Sequence, residues 1–93
     1  MYSRELQKLI VRWTLKEVFT MYDLIYSVLS LINLDNSLMV NTTIKNLESL
    51  LTGIIPDVYF VKQKNDHIIW IIKTYSKGEI CKVIIGKKTF EIV

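Results

Sequence analysis

Hydrophobic and polar positions divide the chain into a helical half and an extended half. In residues 39–55 (MVNTTIKNLESLLTGII), Val40, Ile44, Leu47, Leu50 and Leu51 share one side at about 100° per residue. Thr42, Lys45 and Ser49 fall on the opposite side, flanked by Asn41 and Asn46. The pattern predicts a helix over about 38–52, capped by Ser37 or Asn41 and stopped by Gly53 and Pro56. Upstream, residues 3–18 read as a first helix with Ser3 as its cap. It carries two apolar stripes, Leu6, Leu9, Ile10 and Trp13 on one side and Val11, Leu15 and Val18 on another. Arg4, Lys8, Arg12 and Lys16 form a basic edge between them, which reads first as a solvated face paired with Glu5 and Glu17 and second as an edge that holds phosphate. A second helix over about 21–32 is signalled by Thr20 as cap and Asp23 three residues on, with Phe19 and Leu24 at the staple positions. Its inward residues are expected to be Leu24, Ile25, Val28, Leu31 and Ile32.

After Asp57 the period changes. Strands are expected at about 58–63, 67–75, 80–85 and 89–93, with turns at Lys64–Asp66, about Gly78, and about Gly86–Lys88. Ile68 to Ile72 is unbroken and apolar, which predicts a central strand covered on both faces. The fold expected is α+β: three helices followed by an antiparallel hairpin and a further C-terminal hairpin, in one domain spanning 1–93.

Composition sharpens this. Hydrophobic residues make up 51% of the 93, and the mean hydropathy is +0.29. A chain this small has much surface and little interior, so part of its apolar material is expected to lie against a partner, most simply a second copy. The stripe Val11, Leu15 and Val18 is the expected dimer contact, with the C-terminal hairpin next in line. The net charge of +3 sits wholly in residues 57–93, where seven lysines face Asp57, Asp66, Glu79 and Glu91. Residues 1–56 balance five cations against five anions. A polyanionic partner is permitted and would touch the second half. The longest apolar run is far short of a bilayer span, and MYSRELQK has no signal-peptide core. A single cysteine fits a reducing, cytoplasmic interior.

Candidate chemistry is sparse. His67 and Cys81 are the sole residues of their types, so no histidine cluster or paired-cysteine metal site can form. Together they could make a nucleophile–base pair, but a buried thiol and a turn-flanking histidine account for them more simply. The three glycines stand apart at turns, and no phosphate loop is present. No cofactor, metal or small-molecule ligand is expected, and the chain does not read as an enzyme.

Three helices followed by a hairpin, with FTMYDLIYSVL opening the second and VNTTIKNLESLLTGII as the third, resemble the winged helix-turn-helix family of DNA-binding regulators over roughly 6–74. The resemblance implies a third helix in the major groove, with Asn41, Thr42, Thr43, Lys45, Asn46 and Ser49 at recognition positions. It implies a wing whose tip sets Lys62, Lys64 and Asn65 beside phosphate. Asparagine can bridge adenine, threonine can touch a thymine methyl, and lysine reaches guanine or phosphate. The function expected is that of a dimeric transcriptional regulator on duplex DNA, occupying an operator-like site. The alternative is a protein–protein interaction module on a winged-helix or plain α+β scaffold, with no nucleic-acid binding.

Overall fold

A computed structural model describes the backbone of residues 13–93 and side chains from Thr20 onward. Two helices precede four strands: α1 (Trp13–Leu31), α2 (Ser37–Ile54), β1 (Val58–Lys64), β2 (Ile68–Thr74), β3 (Gly78–Ile85) and β4 (Phe90–Ile92). The strands form one antiparallel sheet in the order β1-β2-β3-β4, each beside its chain neighbour.

The α+β class therefore stands, but the three-helix, winged-helix-like arrangement does not. A single helix runs through Val18, Phe19, Thr20 and Met21, where one helix was expected to end and another to begin. No glycine or proline interrupts this stretch. A threonine with an aspartate three residues on marks a helix start only where the chain has some reason to leave the helix. The expected contact residue Val11 lies outside the described residues, and so do the side chains of Leu15 and Val18. The two C-terminal hairpins are also not a wing and an appendage, because both belong to the same sheet.

The buried face of α1 is centred on Met21, Ile25 and Leu29, four residues apart and fully buried. Of the residues expected inside, Ile25 is in the core and Leu24, Val28 and Ile32 pack half-buried against it, whereas Leu31 is 85% exposed. In α2 the core residues are Val40, Ile44, Leu47 and Leu51; Leu50 points away and is 54% exposed. Asn36, rather than Ser37 or Asn41, caps α2, its side-chain oxygen accepting from the Met39 amide at 3.0 Å. The helix passes through Gly53 and ends at Ile55, whose extended backbone is what a following proline imposes.

Both helices lie on one face of the sheet. Their buried residues join Ile68, Trp70 and Ile72 of β2 and Cys81, Val83 and Ile85 of β3 in one cluster. Side chains alternate across a strand, so β2 is buried at every second residue and half-buried between. Between Ile72 and Lys73 the β2–β3 register shifts, pairing Ile72 with Cys81 but Lys73 with Glu79 and leaving Ile80 as an extra residue. The bulge keeps Ile80 against the core while Glu79 remains exposed. Gly78, at φ 77°, turns the chain into β3 in a conformation that favours glycine.

Candidate functional site

The outer surface of α2 is built by its own period. With Val40, Ile44, Leu47 and Leu51 committed to the core, Thr42, Lys45, Asn46 and Ser49 are left exposed together. Thr43 is half-buried at the edge of that surface. Beside it runs β1, the long edge strand of the sheet, and between the two lies a groove of about 500 Å³. Asn41, Thr42, Lys45 and Glu48 line the groove from α2, and Phe60 and Lys62 from β1.

Several of these groups already satisfy one another. The Lys62 ammonium donates to the Asn41 side-chain oxygen at 2.9 Å, and the Asn41 amide nitrogen donates to the Ser37 carbonyl at 2.8 Å. The Glu48 carboxylate accepts from the indole N–H of fully buried Trp70 at 2.9 Å. Indole N–H is a donor without an alternative role, so a partner at the core edge is what burial of Trp70 requires. Sequence spacing could not find this pair, because Glu48 and Trp70 are 22 residues apart and meet only when α2 lies on β2. The consequence is a carboxylate that lines the groove together with Lys45 and Lys62.

Lys64 and Asn65 stand at the exposed β1–β2 turn. They line a smaller cavity of about 150 Å³ with Asp66 and His67, the start of α2 and Lys87. Of the expected recognition and tip residues, Asn41, Thr42, Lys45 and Lys62 thus share the groove, Lys64 and Asn65 line the smaller cavity, and Thr43, Asn46 and Ser49 line neither. His67 and Cys81 do not converge. His67 is exposed at the turn just before Ile68, which pairs with Ile85, while Cys81 is buried four residues back along β3 from Ile85, which puts it about 16 Å from His67 at strand rise. Burial pushes the Cys81 thiol up to about 12, with the Glu79 carboxylate adding to the effect, so it stays protonated and inert at neutral pH. Among the described residues no three His, Cys, Asp or Glu side chains converge in a metal-binding group. No helix among them is long and apolar enough to cross a membrane.

The opposite face of the sheet was not anticipated as a site. Its residues are the alternates of the core positions: Tyr59 and Val61 of β1, Ile69 and Ile71 of β2, and Ile84 of β3. None belongs to the helix-covered cluster, and all are half-buried. At one end the rings of Tyr59 and Tyr75 stack with centroids 4.4 Å apart. The Lys73 ammonium lies 6.0 Å from the Tyr59 ring centroid. The sequence signal was the unbroken run Ile68–Ile72, apolar toward both faces when only one is covered by α1 and α2.

No protein-family model matches the chain, and neither the curated proteins nor the solved structures contain a match to it. Function therefore rests on the surfaces themselves.

Proposed function

We propose that the protein is a binding module that works by docking to protein, with the sheet face turned away from α1 and α2 as its contact surface. One observation carries this reading: in β2 the residues facing away from the helices, Ile69 and Ile71, are as apolar as those facing the core. A solvated antiparallel face normally alternates to polar residues. A contiguous apolar patch on a small chain marks a contact site. The absence of base-reading arginine on α2 and the carboxylate at Glu48 favour the same reading over a polyanion partner.

A second reading keeps duplex DNA as the partner of α2. It is favoured by the joint exposure of Thr42, Lys45, Asn46 and Ser49 beside Lys62, although it no longer draws on a winged-helix arrangement.

Two measurements separate the readings. A photo-crosslinking residue at Ile71 is expected to give protein adducts, and one at Asn46 to give none with nucleic acid. Duplex titration by fluorescence anisotropy is expected to show weak binding at most at low salt. Tight, sequence-dependent binding with log affinity falling by about 0.9 per neutralised phosphate in log salt, abolished by Lys45→Ala with Asn46→Ala, would instead establish the DNA reading.

A further inference from the structure

The sheet face turned away from α1 and α2 has a charge pattern that narrows its occupant. Four charged residues share it with the apolar side chains: Lys73 and Glu79 as cross-strand partners at one end, Glu91 on edge strand β4, and Lys82 beside Ile71. Two cations and two anions cancel, so the face offers nothing to a polyanion and nothing to a polycation. An apolar patch with balanced charges is complementary to itself.

We infer that the occupant is a second copy of this chain, packed sheet to sheet about a two-fold axis that runs parallel to the strands between β2 and β3. The inference rests on the reading of this face as the contact surface and adds the partner's identity. Such an axis places β2 of one copy over β3 of the other. The observed register then decides which residues meet. Ile69 and Ile84 are cross-strand partners, so each falls opposite the other's counterpart in the second copy. Lys73 and Glu79 are likewise partners, so Lys73 of each copy faces Glu79 of the other. Ile71 falls opposite Lys82, whose aliphatic stem can cover it while the ammonium reaches the rim.

The dimensions set the size of the contact. β1, β2 and β3, seven or eight residues long and about 4.8 Å apart, present a face of roughly 14 by 23 Å in plan, and the three-residue β4 adds a short margin. With side-chain relief, that is a contact at the small end of specific interfaces. Facing sheets sit about 10 Å apart with strands within about 30° of each other. The helix layers then lie on the two outer sides of a four-layer sandwich, with the α2 surfaces turned away from one another.

The test is sedimentation of the full-length chain over a range of concentrations, with charge-reversal variants. The wild type is expected to approach twice the mass of one 10.9 kDa chain. Lys73→Glu and Glu79→Lys, each altering a sheet-surface charge, should each weaken the dimer about tenfold or more by setting like charges opposite each other. Mixing the two variants should restore association as a heterodimer, since every facing pair is again of opposite sign. Ile71→Lys should weaken the dimer further, and circular dichroism of all variants checks that the fold is kept. A dimer indifferent to these changes uses another surface and overturns the inference. A monomer at every concentration overturns it too. In that case adducts from the Ile71 crosslinker with a different protein would leave the docking module standing, and none at all would remove both.

Discussion

Trp70 shows how one side chain ties the core to the surface. Its indole is fully buried, its ring lies 6.2 Å from that of Phe60 at an interplanar angle of 27°, and its N–H is satisfied by Glu48. Removing the acceptor leaves a buried donor without a partner. Glu48→Leu should therefore destabilise the fold by about 1–3 kcal/mol in urea unfolding, whereas Glu48→Gln, which keeps an acceptor, should cost much less. Equal losses from both would show that the bond is not what the carboxylate contributes. Cys81 is read through its ionisation. The unfolded thiol titrates near its ordinary value of 9 and the folded one at about 12, so its contribution is complete below 9 and declines as pH rises from 9 toward 12. At pH 8 a thiol reagent should label Cys81 only at the rate of opening, with full reactivity in denaturant. Rapid stoichiometric labelling of the native protein would contradict its burial.

At the scale of elements, α2 is held at both ends by local chemistry. Asn36 satisfies one of the amides that every helix start leaves orphaned, and Asn36→Ala should lower stability by about 1 kcal/mol. Near the other end Gly53 is helical, exposed and open, with nothing within 4 Å of an added Cβ. Gly53→Ala should raise stability by about 0.5–1 kcal/mol, since it removes backbone freedom from the unfolded chain without strain. A lower thermal midpoint would mean that Gly53 has a role beyond the helix. The α2–β1 junction is fastened to the β2–β3 turn by Asp57, whose carboxylate accepts from both the Ser76 hydroxyl and the Ser76 amide. The Ser76 side-chain hydrogen bond is the main reason the Asp57 carboxyl is held below its usual range. Its contribution is therefore present above the unfolded value and lost as pH falls through the lower folded one. The helix stop was legible as Pro56, while the cap was missed because NLDNS offers several capping residues and only the turn geometry selects among them.

At the scale of the molecule, the high mean hydropathy finds its place in the sheet. Core residues on the helix side account for part of the apolar content, and Tyr59, Val61, Ile69, Ile71 and Ile84 place more on the other side. Association through that face has a thermodynamic signature: because folding and pairing are linked, the unfolding midpoint should rise with chain concentration. A midpoint independent of concentration would speak against a dimer of any geometry. The same association would direct the two α2 surfaces outward in opposite senses, so they could not read two half-sites on one side of a duplex. The α+β class and the change from helical to extended period after Pro56 were set by the sequence alone, because residue periodicity and turn chemistry are local properties. Only the tertiary structure decided that one helix runs through Thr20, that Glu48 meets Trp70, and that α1 and α2 lie on just one face of Ile68–Ile72. Each of these depends on which elements lie against which, and hydrophobic periodicity shows that a face must be covered without naming what covers it.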